Sequence, residues 1–101
     1  MSEINIEVDS ELEDLIPGFL ENRQTDIQDL KRLVSEKNLS EIKKIAHRVK
    51  GTAGGYGFDF VTEIAREIED AALDSNFSLI DQKIIELESG LSSVRITFVS
   101  S

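Results

Sequence analysis

The chain has no cysteine and no tryptophan, and a single proline, methionine, histidine and tyrosine among its 101 residues. Without cysteine there is no disulfide and no thiolate metal site, which suits a reducing compartment. Basic residues are also scarce, 11 against 20 acidic, for a formal charge of −9. That balance argues against nucleic acid, whose phosphates require a dense cationic surface. No apolar run approaches the ~20 residues of a membrane span. The opening Met-Ser-Glu-Ile-Asn-Ile-Glu lacks the basic and apolar regions of a signal peptide. These absences predict a soluble cytoplasmic protein that does not engage the membrane. What remains, 40% hydrophobic and 31% charged, is a globular composition, and the length predicts one domain over residues 1–101. Such a chain can build a single core but not a core plus a deep catalytic cleft.

Residues 1–8 alternate weakly at Ile4, Ile6 and Val8 and read as an extended N-terminal arm. Asp9 or Ser10 is placed to cap a short helix carrying Leu12, Leu15 and Ile16. Pro17-Gly18 interrupts that pattern, and a second helix runs from about Pro17 to Glu36 with Phe19, Leu20, Ile27, Leu30, Leu33 and Val34 inward. Asp26, Asp29 and Lys31 are expected on its outer face. Asn38 or Ser40 caps the next helix, which extends to Gly54–Gly57. Asp59 opens a further amphipathic helix to about Leu73. Ser78 and Asp81 resemble a capping box for the last, which continues to about Arg95 with Gly90 as a weak point. Ile96-Thr-Phe-Val is expected to fray or to prolong that helix. The fold predicted is all-α, an antiparallel up-and-down four-helix bundle with a short extra N-terminal helix.

The lone histidine, His47, lies in the third of these segments. Ile42, Ile45, Ala46, Val49, Ala53 and Tyr56 recur every three or four residues and form an apolar stripe. At about 100° per residue, His47 falls on the opposite face, with Lys43, Lys50, Gly51 and Gly54 around it. Eight of the 11 basic residues (Arg23, Lys31, Arg32, Lys37, Lys43, Lys44, Arg48 and Lys50) lie in the N-terminal half, and the last four of these bracket His47. Gly55 and Gly57 read as helix-ending residues. Gly51 does not: it stands one turn beyond His47, before the apolar period stops, where glycine costs about 1 kcal/mol relative to alanine. Its use in this pattern is access, clearing the ground beside the imidazole for another macromolecule.

Few chemistries fit one exposed imidazole. A zinc site fits poorly, since without a second histidine or a cysteine the remaining ligands would all be carboxylates. A nucleophilic triad lacks its serine elbow. The run Gly51-Thr-Ala-Gly-Gly-Tyr-Gly57 follows a helix rather than a strand, so it is not a nucleotide-phosphate loop. Accepting a phosphoryl group does fit. Imidazoles ordinarily titrate near pH ~6.5, so at neutral pH a ring nitrogen attacks without a dedicated base. An ammonium at Lys50 then offsets charge on the transferred group. Metal and the remaining catalytic groups must come from a partner.

The segment His47-Arg-Val-Lys50-Gly51-Thr-Ala-Gly54-Gly-Tyr-Gly57 resembles the signature of histidine-containing phosphotransfer (HPt) domains, His-x-x-Lys-Gly followed by small residues and a glycine. The likeness extends over Leu12 to Leu33 with its proline, Asn38 to Ala46, and Phe58 to Leu73. Gly54 and Tyr56 match less closely, since many members carry another small residue and an aliphatic one there. The resemblance implies a phosphoryl carrier rather than an enzyme. His47 would be phosphorylated at Nε2, Lys50 would steady the phosphate, and Gly51 would make room for a docking receiver domain. From the helix pattern itself, docking is expected on the exposed side of the 39–57 helix, with Lys43, Arg48, Lys50 and Gly54 contributing. The resemblance further implies response-regulator receivers and a sensor histidine kinase as partners, with Mg²⁺ held by the receiver. The chain itself is expected to be a monomer with no bound cofactor, although the sequence leaves dimerisation open. The rival readings are a helical adaptor that docks through the same face without being phosphorylated, and a metal-dependent hydrolase on a helical bundle.

Overall fold

The computed structural model describes residues 3–100. Four α-helices account for most of them: α1 (Ile16–Ser35), α2 (Leu39–Ala53), α3 (Asp59–Leu73) and α4 (Phe77–Ser92). α1 packs on α2 and α4, α2 on α3, and α3 on α4. The connections 36–38 and 74–76 have the short length that joins antiparallel neighbours. No helix among the described residues is long and apolar enough to cross a membrane.

The all-α expectation needs one correction. Ile4–Asp9 forms a strand, β1, which pairs in parallel with a second strand, β2 (Val94–Val99), in the register Ile4↔Val94 to Asp9↔Val99. The supposed arm is therefore paired from Ile4 on; residues 1 and 2 lie outside the described residues. Ile6 and Val8 turn inward and are buried, matching the period-two alternation of a half-buried strand. α4 stops at Ser92, so the β-branched run after it is strand rather than frayed helix. A parallel pair requires a long crossover, and here the whole helical bundle is that crossover.

The N-terminal helix is also different from the one expected. Ser10–Leu15 is a 3-10 segment in which the Asp9 carboxylate accepts from the Glu11 N–H. Pro17 marks the start of the next helix, as expected: it sits in the first turn of α1, where its missing N–H has no partner to lose. Asn38 caps α2 by accepting from Glu41 N–H at 3.2 Å, as one of the two expected candidates. Asn76, not Ser78, does the same for α4 through Leu79 N–H. The two turns share a design: Lys37 (φ 59°) and Ser75 (φ 56°) take the left-handed conformation that ends the preceding helix, and an asparagine then starts the next. Asp59 lies in the first turn of α3 without capping it.

The predicted stripe of α2 is the inner one, with Ile42, Ile45, Ala46, Val49 and Ala53 all buried. Tyr56 is half-buried, its ring centroid 4.6 Å from that of Phe19. Gly90 is more than a weak point, because a Cβ there would lie 2.6 Å from the Phe60 ring. Gly57 ties the sheet to the helices. It has φ +83°, and a Cβ on it would lie 2.8 Å from the Glu7 carbonyl oxygen. Gly57→Ala is therefore expected to lower stability by about 2 kcal/mol, combining left-handed strain with displacement of β1. Urea unfolding would show it as a lower midpoint at unchanged slope.

Candidate functional site

α2 carries His47 at its middle, with the side chain 73% exposed. The ring does not stand alone. Its Nδ1 lies 3.2 Å from Oε2 of Glu69, which projects from α3. The other carboxylate oxygen, Oε1, accepts from Lys50 Nζ at 2.7 Å. Glu69 thus binds the imidazole and the ammonium together, and its side chain is mostly buried between the two helices. The Lys50 hydrogen bond chiefly, with the charges of Lys50 and His47 adding to it, holds the Glu69 carboxyl below its ordinary pKa against the opposing effect of burial.

That arrangement decides the tautomer. A carboxylate is acceptor-only, so the neutral ring must place its proton on Nδ1 and donate it to Glu69. The lone pair then sits on Nε2, at the edge of the ring away from Glu69. Along the same ridge, a Cβ built on Gly51 would meet nothing within 4 Å, so the backbone there is open to solvent. A Cβ on Gly54 would make only ordinary contact, 3.7 Å from Thr62 Oγ1.

The basic cluster is more neutralised than its sequence suggests. Lys44 pairs with Glu41 and Lys50 with Glu69. Arg48 Nη2 donates to Asp26 Oδ1 at 2.6 Å, while Arg23 Nε holds Oδ2 at 2.9 Å. Asp26 is therefore not on an outer face: it is 3% exposed, and so is nearly buried with Arg23 between α1 and α2. Arg23 also lies over the Phe19 ring, 4.8 Å from its centroid. The Arg48 side chain remains largely exposed beside a cleft of about 430 Å³ lined by Asn22, Thr25, Asp29 and Thr52. Lys43 makes no ion pair among the described residues. Nor, among them, do three or more histidine, aspartate or glutamate side chains converge as metal ligands.

His47, Lys50 and Gly51 thus share one face, and Lys43, Arg48 and Gly54 border it. Glu69 is the residue that the sequence reading missed. Its signal is faint: a carboxylate at the margin of the α3 stripe, flanked one turn either way by Ala65 and Ala72. The small neighbours allow close approach of another helix, but nothing in the pattern says which.

Comparison with known families supplies the remaining observation. The family model described as Hpt domain matches residues 14–96. The chain belongs to the Hpt domain family, whose members are phosphocarrier modules of two-component signalling. Comparison with curated proteins and with solved structures finds no match.

Proposed function

We propose that this protein is a phosphoryl carrier in a multistep two-component relay. His47 accepts a phosphoryl group from a receiver-domain aspartyl phosphate, or from a sensor histidine kinase, and passes it to another receiver aspartate. The observation that carries this reading is the imidazole itself, exposed at Nε2 and bound at Nδ1. As Nε2 attacks phosphorus, an N–P bond forms, the P–O bond to the donor aspartate breaks, and that carboxylate departs. The ring retains its Nδ1 proton and becomes cationic, and Glu69 opposes the new charge through the hydrogen bond already in place. Lys50, one turn along, can turn its ammonium from Glu69 to the phosphoryl oxygens.

The bare ridge at Gly51 and Gly54 admits the receiver, with Lys43 and Arg48 on the rim of the docking face. Mg²⁺ belongs to the receiver, where it neutralises charge on the transferring group. The relay places the protein in the cytoplasm beside its partners. Incubation with purified, phosphorylated receivers tests the reading: label should move to this chain as an acid-labile, alkali-stable phosphohistidine. Absence of transfer from every receiver of the same cell would refute it.

Glu69 supplies a graded test. A charge-assisted hydrogen bond contributes roughly 1.5–3 kcal/mol, which corresponds to about ten- to a hundredfold in rate if it acts on the transition state. Glu69→Ala is accordingly expected to slow transfer by about tenfold or more without weakening receiver binding. Glu69→Gln should fall between, since its amide oxygen still accepts from Nδ1 but carries no charge. Rapid-quench transfer kinetics with a separate binding titration would check both.

A further inference from the structure

The two edges of the β1–β2 sheet are unlike. Ile4 N–H donates to Ser93 C=O at 3.0 Å, which fixes the alternation of the parallel ladder. Residues 4, 6 and 8 of β1 turn their backbone groups toward β2, and 5, 7 and 9 turn theirs outward. On that outer side the Gly57 turn presses against the Glu7 carbonyl. By the same alternation, Val94, Ile96 and Phe98 of β2 direct their N–H and C=O groups away from β1. Among the described residues no backbone hydrogen bond reaches them, and the Ser10–Leu15 segment packs near β2 without pairing with it. β2 is Val-Arg-Ile-Thr-Phe-Val, with no proline, no glycine and one charge, and its Phe98 and Val99 are 38% and 37% exposed. An open, β-branched, nearly uncharged edge is the kind that pairs with another strand.

We infer that this edge binds a second copy of the same chain, β2 against β2 in antiparallel fashion, to give a closed dimer with a four-stranded sheet. The sequence of the strand is complementary to itself about Ile96. A two-fold axis there sets Ile96 against Ile96, Val94 against Phe98 and Arg95 against Thr97 of the other copy. Val94, Ile96 and Phe98 then share one face, and Arg95 and Thr97 the other together with Val99, and the two Arg95 side chains never face each other. All three outward residues fall in hydrogen-bonded pairs, giving about six backbone hydrogen bonds. A copy adding instead through β1 would meet the Gly57 turn and the carboxylates of Glu3, Glu7 and Asp9. A closed two-fold contact also stops at two chains, whereas β1-to-β2 addition would propagate. The sheet lies at the end of the bundle where α2 stops, and His47 is about two helical turns away, ~10 Å along α2, so both phosphoryl-accepting faces stay open.

The contact is small: it follows six residues, about 20 Å of strand, and a single strand edge of that length buries less than the ~1,200 Å² typical of stable complexes. Self-association should therefore be weak, and sedimentation velocity from about 10 μM to about 1 mM covers the range. Salt near 0.15 M limits repulsion between the two acidic chains to about 8 Å. The wild type is expected to pass from monomer to dimer across that series. Thr97→Lys opposes Arg95 of the other copy at both symmetric positions and should weaken dimerisation by about tenfold; Thr97→Glu should strengthen it by a similar factor. Within one chain the same changes act in the opposite sense, because Thr97 is in register with Glu7 on β1. The lysine variant should therefore melt no lower than wild type, and loss of fold cannot explain its weaker association. A monomer at every concentration would overturn the inference, even if the edge captured some other extended peptide. A dimer indifferent to both substitutions would overturn it equally.

Discussion

His47→Gln is expected to accept no detectable phosphate from a receiver that labels the wild type, a loss of at least about a thousandfold, while still binding that receiver. An amide nitrogen has no available lone pair, so there is no nucleophile to replace. The substitution falls on a side chain 73% exposed, where changes in stability are ordinarily within about 0.5 kcal/mol. Label transfer, receiver titration and thermal melting on one preparation separate the possibilities. A carrier loses its effect in the cell together with transfer. An adaptor acting through the same surface would keep its effect, and that result would exclude the relay reading.

Asp26→Ala is expected to produce the largest loss of stability of any single substitution near the site. Asp26 is the only ion-pair partner of Arg23 among the described residues, and both side chains are nearly buried. Removing one member of a buried pair strands the other, at a cost of about 3–5 kcal/mol. For a domain of this size that lowers the melting temperature by about 15 °C or more. The Arg48 contact adds little to this figure, because its guanidinium reaches water. Arg23→Met combined with Asp26→Leu should recover most of the loss, since apolar replacement of both members removes the stranded charge. Calorimetry of the single and double variants checks the pair. A single variant melting within a few degrees of wild type would show the ion pair to be incidental.

The parts legible in the sequence were those with local periodicity. The stripe from Ile42 to Ala53 defined α2, and its complement placed His47, Lys50 and Gly51 on the open side. Asn38 and Pro17 marked helix starts by chemistry that acts within a few residues. The features that escaped depend on partners distant in the chain. Ile4, Ile6 and Val8 signal a strand only if something pairs with it, and that something begins at Val94. Asp26 looks like any carboxylate on a polar face until α2 brings Arg48 against it, 22 residues on. Glu69 stands 22 residues from His47, and only the packing of α3 on α2 joins them. The cationic patch was overestimated for the same reason, since carboxylates from α1 and α3 neutralise much of it.

Phosphoryl transfer through this protein needs one ring whose Nδ1 is committed to Glu69 and whose Nε2 is free. Two-dimensional ¹⁵N–³¹P and ¹H–¹⁵N NMR of the histidine-labelled protein, before and after phosphorylation, reads both nitrogens directly. The expected spectrum shows Nδ1 protonated throughout and phosphorus coupled to Nε2 of His47. Phosphorus coupled to Nδ1, or phosphate on any residue other than His47, would contradict it.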